Sequence, residues 1–334
     1  MRIIIPMAGA GKRMRPHTLT VPKPLIPVAG KPIVQWLVED LVKVCKEKVT
    51  EIAFVTGHFG EDAEKNLLRI AEKVGAKGRI FYQEEPLGTA HAILCANETL
   101  KGKVIVAFAD TLFRAEFLLD EEKEGIIWVH KIEDPKMFGV VKVNKENVIT
   151  DFVEKPVSFV SDLAIIGIYY FKDGEYLKKE MQYLVDHNIT EKGEYQLTNA
   201  LENMKKKGVK FFPGKVNEWL DCGNKDATVY TNKRVLEMHQ NEKMIASSMT
   251  TMNSVIIPPC FIGEHVQLRN SVVGPFASIG SHSKIEGSVV SNSIIQTNSI
   301  VKNAVIDNSM IGNFVEYQNE PSQLSLGDYS SQKS

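Results

Sequence analysis

The fold is decided by Ile3-Ile4-Ile5-Pro6-Met7-Ala8-Gly9-Ala10-Gly11-Lys12-Arg13, an apolar run that leads directly into a glycine loop with a basic end. A strand that ends in Ala-Gly-Ala-Gly exposes successive backbone N–H groups with no side chain in the way, which is what a bound phosphate chain requires. Pro22-Lys23-Pro24 lies a short distance downstream, and Arg13 and Lys23 add cations. The pattern predicts a phosphate-binding loop after the first strand.

Two better-known glycine loops do not fit this stretch. A Rossmann fingerprint needs a third Gly three residues after Gly11, where the chain has Met14, and an acidic residue about 20 positions further on. A P-loop needs Ser or Thr after its Lys, but Lys12 is followed by Arg13. An ordinary βα turn is the plainer interpretation. The two prolines around Lys23 argue against it, because they predict a lysine held in a rigid extended stretch.

Length and composition bound the possible functions. With 334 residues, 43% of them hydrophobic and 24% charged, the chain is expected to fold into two domains with a sizeable core. Its net charge of −1 argues against nucleic acid or an anionic membrane as the main partner. We expect no disulfide framework or zinc site, because no C-x-x-C pair occurs among Cys45, Cys95, Cys222 and Cys260. Without a signal peptide or a membrane-length apolar run, the expected compartment is the cytoplasm.

Strands and helices alternate through the first half of the chain. Apolar residues at helical spacing in 33–44 and 62–73 separate short β-rich runs at 3–7, 52–56, 80–83 and 104–109. The alternation predicts an α/β fold with a mostly parallel sheet and helices on both faces. Because ligands bind at the carboxyl ends of parallel strands, we expect the glycine loop, Gln83 and Asp110 to converge on one cleft.

The last part of the chain carries a repeat. From 255 to 311, small apolar residues recur every five or six positions, and glycines follow several of them. This hexapeptide spacing predicts a left-handed parallel β-helix of about three turns over 254–316, preceded by a helix from 225 to about 243 and a linker over 244–253. An antiparallel sandwich is the alternative, which the repeated Ile-Gly and Asn-Ser steps disfavour. The polar tail, 317–334, is expected to be disordered.

The glycine loop and its continuation resemble the sugar-1-phosphate nucleotidylyltransferases, also called nucleotide-sugar pyrophosphorylases. Their signature is present in order as Gly9-Ala10-Gly11-Lys12-Arg13, Pro16-His17-Thr18, Pro22-Lys23-Pro24-Leu25-Ile26-Pro27-Val28 and Lys31-Pro32. Many members have Thr at the position of Lys12. The resemblance extends to residue 223 and is strongest to glucose-1-phosphate thymidylyltransferase-like members with a C-terminal β-helix. It implies a Rossmann-like nucleotidyltransferase sheet within a catalytic domain over 1–243.

A base-reading loop is implied by 82–92, which resembles the corresponding family segment. The amide of Gln83 can both donate and accept, as the imide edge of thymine or uracil requires, whereas guanylyl-specific relatives usually have an acidic residue there. Gln83 therefore favours a pyrimidine without separating dTTP from UTP. His91 is expected to be a packed residue at the start of a helix. The implied nucleotide-binding residues are Ala8, Gly9, Ala10, Gly11, Lys12, Arg13, Gln83, Pro86, Gly88 and Thr89.

The sugar side is implied by a second set of family motifs. Glu154 and Lys155 stand in an E-K-P motif, in which the Glu accepts from sugar hydroxyls and the Lys binds the sugar phosphate. Gly139 matches a residue that meets the sugar through its backbone, and Gly167 lies in a strand that flanks the pocket. The stretch 194–198 matches a loop and helix beside it.

The family also implies a metal and a mechanism. The aspartates that match Asp110 and Asp221 together hold Mg²⁺, an ion that prefers hard oxygen ligands. The phosphate of a sugar 1-phosphate attacks the α-phosphorus of a nucleoside triphosphate, so no general base is needed. Lys155 is expected to hold the nucleophile, Lys23 the reacting phosphate, and Arg13 the departing pyrophosphate. The expected substrates are dTTP, with UTP next, and glucose 1-phosphate.

Three other functions stay open at this point. They are a mannose-1-phosphate guanylyltransferase-like enzyme, a non-catalytic regulatory or assembly subunit, and a hexapeptide acyltransferase with His265 or His282 as its base. The five charged residues of the implied mechanism are all present, which argues against a non-catalytic subunit. Acyl transfer usually uses a longer β-helix, so we expect packing and homo-oligomerisation to be the role of this domain.

Overall fold

The structure, a computed structural model, describes residues 1–116, 118–136, 138–156, 158–320 and 323–331. The chain folds into two compact units. The first consists of Met1–Ile26 and Lys31–Gly223, and the second of Pro27–Gly30 and the chain from Asn224 onward. The helix that begins at 225 therefore groups with the repeat, whereas we expected it to belong to the catalytic domain. The domain boundary at 243 stays a prediction.

Strands and helices alternate up to Cys95, as expected for the first half of the chain, and six consecutive strands then precede the next helix in the described part of the chain. The helices are α1 (Ile33–Val44), α2 (Glu61–Lys73), α3 (Thr89–Cys95), α4 (Gly174–Asp186) and α5 (Leu197–Lys206). The strands are β1 (Arg2–Pro6), β2 (Pro27–Val28), β3 (Lys31–Pro32), β4 (Glu51–Thr56), β5 (Lys77–Tyr82), β6 (Val104–Ala107), β7 (Thr111–Arg114), β8 (Gly125–Lys131), β9 (Val140–Val143), β10 (Ile149–Val153), β11 (Leu163–Phe171), β12 (Phe211–Lys215) and β13 (Glu218–Asp221). Across the described ranges, the helices are all too short or too polar to cross a membrane.

One mixed sheet forms the core of the first unit. Its strand order is β10-β9-β11-β6-β1-β4-β5, and β8 joins β12 to β11. β6, β1, β4 and β5 pair in parallel, so their carboxyl ends lie at one edge. β11 then pairs antiparallel with β6, β8 and β9. The predicted α/β class is confirmed, but parallel pairing is concentrated in the first half. Helical crossovers connect the strands there, whereas β9 and β10 are joined by a short turn that permits antiparallel pairing.

Helices cover both faces of this sheet. Ile4 belongs to a buried cluster that includes Ile93 of α3 and Leu177 of α4. Gly78 in β5 is offset by one residue from the row that contains Ile4, so it faces the other side. A Cβ at Gly78 would lie 2.9 Å from Leu68 of α2. With both faces packed, the strand ends are left as the place where the sheet can meet a ligand.

The second unit is a left-handed parallel β-helix with one long helix, α6 (Lys225–Met238). Its strands are β14 (Thr250–Met252), β15 (Val255–Ile256), β16 (Phe261–Ile262), β17 (Gln267–Arg269), β18 (Val272–Val273), β19 (Ser278–Ile279), β20 (Lys284–Glu286), β21 (Val289–Val290), β22 (Ile294–Ile295), β23 (Ile300–Lys302), β24 (Val305–Ile306), β25 (Met310–Ile311) and β26 (Glu316–Gln318). They form three parallel stacks: β14-β17-β20-β23-β26, β15-β18-β21-β24 and β16-β19-β22-β25.

The β-helix is longer than the sequence predicted. Each turn adds one strand to each stack, and stacks of five, four and four strands make four complete turns rather than three. The extra length comes from Thr250–Met252, which was expected to be linker, and Glu316–Gln318, which reaches into the predicted tail. Both strands are exposed, so they lack the buried apolar residues that reveal the repeat. Residues 319–320 and 323–331 form no helix or strand, and the rest of the predicted tail, 321–322 and 332–334, lies outside the described residues.

Asn232 joins α6 to the β-helix. It is fully buried, and its Oδ1 accepts hydrogen bonds from Ala29 N at 2.9 Å and Ser278 Oγ at 2.7 Å. Its Nδ2 donates to Phe276 O at 3.1 Å. Because a buried amide that satisfies both its ends fixes its neighbours in place, this residue explains why α6 groups with the repeat.

Candidate active site

A cavity of about 430 Å³ opens at the carboxyl ends of the parallel strands in the first unit. The loop after β1, the residue after β5 and the residues after β6 all reach its wall. The sequence-predicted residues on that wall are Ala8, Gly9, Gly11, Lys12, Arg13, Lys23, Gln83, Pro86, Gly88, Thr89 and Asp110. Ala10, Gly139, Glu154, Lys155, Gly167 and Asp221 are not among its lining residues.

Gly9 and Gly11 of the loop have different surroundings, so different causes favour glycine at the two positions. Gly11 has a φ of 58°, and a Cβ there would lie 3.0 Å from Thr18 Cγ2 and 3.2 Å from Lys23 Cβ. Thr18 Oγ1 also donates to Gly11 O at 2.9 Å. A Cβ at Gly9 would instead meet no described atom within 4 Å. The packing of the protein itself therefore requires Gly11, whereas Gly9 leaves the floor of the cavity open.

The conformation of Pro22-Lys23-Pro24 differs from the extended one that the sequence predicted. Lys23–Leu25 forms a 3-10 turn, closed by Leu25 N donating to Pro22 O at 2.8 Å and Ile26 N donating to Lys23 O at 3.1 Å. The fixed φ of Pro24 is compatible with the first turn of a helix, where a missing N–H costs nothing. The turn holds Lys23 so that its Nζ donates to Asp110 Oδ2 at 2.8 Å.

Asp110 and Asp221 are brought together by the antiparallel pair β7–β13. Asp221 pairs with Thr111, the neighbour of Asp110, and Cys222 N donates to Asp110 O at 2.9 Å. Burial and the negative charge of Asp110 raise the pKa of Asp221, against the opposing influence of Lys23, Arg13 and the Gly223 N–H. The two carboxylates are thus close enough for each to act on the other, with Lys23 and Arg13 beside them.

This donor set is compatible with Mg²⁺. Within the described ranges, no group of three or more His, Cys, Asp or Glu side chains is arranged to hold a metal ion. Mg²⁺ does not need such a cage, because it commonly binds one or two carboxylates and takes its other ligands from substrate phosphates and water. Asp110 and Asp221 supply two hard oxygen donors of this kind.

The loop predicted to read the base, 82–92, is anchored by a second loop. Gly88 has a φ of 108°, and a Cβ there would lie 2.5 Å from Tyr195 O. Tyr195 N donates to Leu87 O at 2.8 Å, and Ala90 N donates to Tyr195 O at 2.9 Å. Residues 194–198 were predicted to lie beside the sugar pocket, which stays a prediction; the structure bonds Tyr195 to the loop around Gly88 and places Glu194 on the cavity wall.

Thr89 lines the cavity, but its hydroxyl is already engaged. Its Oγ1 donates to Gln196 Oε1 at 3.1 Å and accepts from Leu197 N at 2.9 Å. These bonds join the start of α3 to the start of α5. Thr89 therefore contributes to the shape of the cavity more readily than to hydrogen bonding with a ligand.

A glutamine amide can both donate and accept hydrogen bonds, but in the structure the donor end of Gln83 is already engaged within the protein. Its Nε2 donates to Gly88 O at 3.2 Å and lies 3.2 Å from Nδ1 of His91. Among the described residues, no hydrogen bond is found to Oε1. His91 lies in the first turn of α3, as expected, where burial lowers its pKa against the opposing charge of Glu85.

The predicted sugar residues form a separate cluster. A Cβ at Gly139 would lie 3.0 Å from Glu154 Oε2, so a larger residue there would push the Glu154 carboxylate aside. Lys155 Nζ lies 3.5 Å from Glu154 Oε1, and Lys155 has a φ of 40°, which a lysine rarely adopts. Gly167 O accepts from Phe108 N at 2.9 Å, and Phe108 lines the cavity.

Tyr169 connects this cluster to the cavity wall. Its ring packs edge-on against Phe108 with centroids 6.2 Å apart. Burial and the charge of Glu154 raise the pKa of Tyr169, which places Glu154 within electrostatic reach of that ring. Tyr169 is therefore close both to Phe108 of the cavity wall and to the Glu154 carboxylate.

Several wall residues lie in or next to the predicted motifs but were not predicted to be site residues. They are Pro6, Met7, Pro24, Ala92, Phe108, Ala109 and Gly223. The structure shows why residue 223 is a glycine. A Cβ there would lie 2.7 Å from Asp221 Oδ2 and 3.2 Å from an Arg13 guanidinium nitrogen. A glycine two residues after a candidate ligand is the sequence feature that could have indicated this close approach.

His265 and His282, the candidate bases of the acyltransferase alternative, lie at one corner of the β-helix in the second unit. Their rings stack with centroids 5.1 Å apart, and both residues are exposed with positive φ values of 56° and 62°. The two occupy equivalent positions in successive turns, as repeat residues do.

Comparison with known proteins identifies the family. The Nucleotidyl transferase family model matches residues 2–238, so the chain belongs to the nucleotidyl transferase family. The chain is 30% identical over 245 residues to the low-salt glycan biosynthesis nucleotidyltransferase Agl11 of Haloferax volcanii, covering 71% of this chain and 66% of that protein. It is 29% identical over 266 residues to the bifunctional protein GlmU of Methanococcus vannielii, covering 77% and 61%.

A third relative has a more specific name. The chain is 35% identical over 180 residues to the mannose-1-phosphate guanylyltransferase catalytic subunit beta of Drosophila pseudoobscura pseudoobscura, covering 51% of this chain and 47% of that protein. The chain thus spans about half to two thirds of the length of these curated relatives.

Two solved structures share the fold. A UDP-glucose pyrophosphorylase complexed with UDP-glucose has a TM-score of 0.58 at 23% identity, covering 71% of this chain and 98% of that chain. A Bacillus anthracis protein described as a glucose-1-phosphate thymidylyltransferase, in complex with a sucrose, has a TM-score of 0.59 at 22% identity, covering 69% and 93%.

Proposed function

We propose that the protein transfers a nucleotidyl group from a nucleoside triphosphate to a sugar 1-phosphate in nucleotide-sugar biosynthesis. The observation that carries this proposal is a cavity in which the glycine loop, the cations Lys12, Arg13 and Lys23, and the carboxylate Asp110 meet. A phosphate oxygen of the sugar 1-phosphate attacks the α-phosphorus, the bond from that phosphorus to the bridging oxygen breaks, and pyrophosphate leaves.

The cations account for the way the reaction is promoted. Two polyanions must come together, so positioning and charge neutralisation supply most of the catalysis. Arg13 and the backbone N–H groups of the glycine loop hold the departing pyrophosphate, and Lys23 holds the reacting phosphate. The attacking group is already an ionised phosphate oxygen, and the low pKa of a phosphate makes a general base unnecessary.

Asp110 and Asp221 are the residues that would hold Mg²⁺. When bound, the ion acts as a Lewis acid for the charge on the phosphate oxygens. The chain's own part is to keep two carboxylates side by side, which the β7–β13 pairing and the Cys222 to Asp110 backbone bond support.

Glu154 and Lys155 bind the sugar phosphate in this proposal. Lys155 is held in an unusual backbone conformation, and such strain is found where function requires it. The Glu154 carboxylate accepts from sugar hydroxyls, Gly139 meets the sugar through its backbone, and Lys155 holds the phosphate. Gly167 holds Phe108, a residue of the cavity wall, through the hydrogen bond from Phe108 N.

The proposed substrates are dTTP, with UTP next, and glucose 1-phosphate. Oε1 of Gln83 can accept from the N3–H of thymine or uracil. A second candidate is guanylyl transfer to mannose 1-phosphate, which is favoured by the 35% identity to a mannose-1-phosphate guanylyltransferase subunit. The N1–H of guanine could donate to the same oxygen.

A homo-oligomer formed through the β-helix is also part of the proposal. One stack carries outward valines in register, namely Val255, Val272, Val289 and Val305, of which Val305 is 84% exposed. A row of apolar side chains on a β-sheet face is a suitable surface for a second copy of the chain.

Pyrophosphate release tests the function directly. The protein would be incubated with Mg²⁺ and each pairing of dTTP, UTP, GTP, CTP or ATP with glucose 1-phosphate or mannose 1-phosphate. We expect release that needs both substrates, fastest with dTTP or UTP and glucose 1-phosphate, and lost in Lys23→Met. Fastest release with GTP and mannose 1-phosphate would select the second candidate. A folded protein that releases no pyrophosphate with any pair would overturn the proposal.

A further inference from the structure

The orientation of the Gln83 amide is fixed from inside the protein. Its Nε2 lies 3.2 Å from both Gly88 O and His91 Nδ1. A backbone carbonyl can only accept a hydrogen bond, so the amide nitrogen rather than the amide oxygen must face Gly88. If the amide were turned over, Gln83 Oε1 would face Gly88 O, and two hydrogen-bond acceptors would be in contact.

The Gly88 carbonyl is held in place and could not move away from such a contact. A Cβ at Gly88 would lie 2.5 Å from Tyr195 O and 2.7 Å from Tyr195 N, so the two backbones are in close contact. Hydrogen bonds on both sides of Gly88, from Tyr195 N to Leu87 O and from Ala90 N to Tyr195 O, hold this contact. The carbonyl that orients Gln83 is therefore part of a rigid loop.

We propose that His91 is a positioning residue, which accepts the second amide hydrogen of Gln83 on Nδ1 and thereby presents Gln83 Oε1 to the base as a fixed acceptor. This inference rests on the proposed function, in which Gln83 reads the base. It requires a neutral imidazole with its proton on Nε2, because a protonated Nδ1 would face another N–H.

The surroundings of His91 favour that neutral form. Burial lowers its pKa, and the charge of Glu85 on the preceding loop opposes the effect. Cys95 Sγ donates to His91 O at 3.3 Å, and the charge of Glu84 acts on the Cys95 thiol. Cys95 stays a thiol, since burial raises its pKa.

A base with a ring N–H at its edge is the ligand that this arrangement selects. Both donors of the Gln83 amide are used within the protein, so only its oxygen meets the base. Thymine and uracil offer N3–H, and guanine offers N1–H, whereas cytosine has an unprotonated N3 that would oppose Oε1. His91 thus contributes to discrimination between dTTP and CTP without touching either.

The experiment compares His91→Leu, which removes the acceptor, with His91→Asn, whose Oδ1 can take the place of Nδ1. Dissociation constants for dTTP and CTP with Mg²⁺ would be measured by calorimetry without a sugar phosphate. We expect His91→Leu to weaken dTTP binding about three- to tenfold, the value of one neutral hydrogen bond, and to reduce the preference for dTTP over CTP by a similar factor. His91→Asn and the exposed-surface control His187→Leu should resemble the unchanged protein.

A pH profile separates this role from simple packing. Below the pKa of His91, which lies under the usual value of about 6.5, the imidazole gains a proton and dTTP affinity should fall. His91→Asn should lack this step but keep the titration of the triphosphate. The inference would be overturned if His91→Asn and the unchanged protein showed the same pH profile. It would also be overturned if His91→Leu bound dTTP as tightly as the unchanged protein does. Base preference unchanged in Gln83→Ala would instead overturn the base-reading part of the proposed function, and this inference with it.

Discussion

Lys23 Nζ donates to Asp110 Oδ2 at 2.8 Å, so the lysine proposed to bind phosphate is paired with a carboxylate proposed to bind a cation. The lysine side chain is 11% exposed and the aspartate 40%. The lysine is thus the buried member of the pair, fixed by its 3-10 turn, while the aspartate keeps an open side. Asp221 remains next to Asp110, and its pKa stays raised despite Lys23. Arg13 also acts on Asp221, so two cations face the two carboxylates, and the open side of Asp110 is the feature that leaves room for the proposed divalent ion.

Asp110→Asn and Asp221→Asn should each lower Mg²⁺-dependent pyrophosphate release by about a hundredfold or more, because each removes one charge from the proposed ion site. Mn²⁺ binding, followed by electron paramagnetic resonance, should weaken in parallel. Thermal unfolding should change little. Asp134→Asn, an exposed carboxylate away from the cavity, is the control. Near-normal release in either variant would refute the metal assignment.

Gln83→Glu should weaken dTTP and UTP binding, but for a reason that the sequence does not reveal. Judged from the residue type alone, the substitution removes a hydrogen-bond donor to a pyrimidine carbonyl. In the structure, the lost donor is the one that faces Gly88 O, so a carboxylate would place an acceptor oxygen 3.2 Å from another. Competition between nucleotides would measure the change. An unaltered preference would mean that another residue reads the base.

The parts of the site that the sequence could predict are those with local causes. An apolar strand followed by glycines predicts the phosphate loop, and the ends of β5 and β6 place Gln83 and Asp110 at the same sheet edge. The resemblance to a known family supplied Asp221, since nothing local in β13 announces that it pairs with β7.

The parts that it could not predict depend on contacts between distant residues. The backbone of the loop that contains Glu194 and Tyr195 bonds to the loop around Gly88, about a hundred residues earlier, and no sequence pattern predicted this contact. Periodicity carries no information about such a contact. The first and last strands of the β-helix were missed for another reason, because their exposed positions lack the apolar repeat.

Gly9→Ala should reduce nucleotide binding without harming the fold. The added methyl group would meet no described atom within 4 Å, and replacing Gly by Ala can stabilise the folded chain by about 0.4–1 kcal/mol where the backbone allows it. The same group would intrude where a phosphate approaches the loop, so we expect at least about tenfold weaker dTTP binding. Gly11→Ala is the contrasting variant: its positive φ and contacts with Thr18 and Lys23 predict lower stability as well. Undiminished dTTP binding by Gly9→Ala would argue against this loop as the phosphate site.

Glu121 makes the first unit sensitive to acid. It is 4% exposed, and its carboxylate accepts from Lys46 N, Glu47 N and Lys103 Nζ at 2.9, 3.0 and 3.1 Å. Burial alone would raise the pKa of Glu121, but the hydrogen bonds from Glu47, Lys103 and Lys46 outweigh it and lower the pKa. A lowered pKa in the folded state means that this group stabilises the fold above the unfolded pKa of about 4.3, and that the contribution is lost as pH falls through the folded value.

Glu121→Gln should therefore unfold at lower urea concentration at pH 7, with a smaller difference from the unchanged protein near pH 3. The exposed Glu146→Gln is the control. Parallel stability curves for Glu121→Gln and the unchanged protein across this range would show that the carboxylate is not the source of the acid sensitivity.

Asn232→Ala should destabilise the second unit by at least about 2 kcal/mol, because it leaves the buried Ala29 N–H, Ser278 hydroxyl and Phe276 carbonyl without their partner. Asn97→Ala, at an exposed position after α3, should have almost no effect.

The contacts of Asn232 also determine where the chain should be cut to remove the β-helix. A cut at Ser254 would strip α6 of Ser278 and Phe276, whereas a cut at Asn224 removes α6 together with both and leaves only Ala29 behind. Urea unfolding of the point variants would measure the first effect, and light scattering of the two truncated chains the second. Equal stability of Asn232→Ala and Asn97→Ala would show that α6 and the β-helix do not depend on this amide.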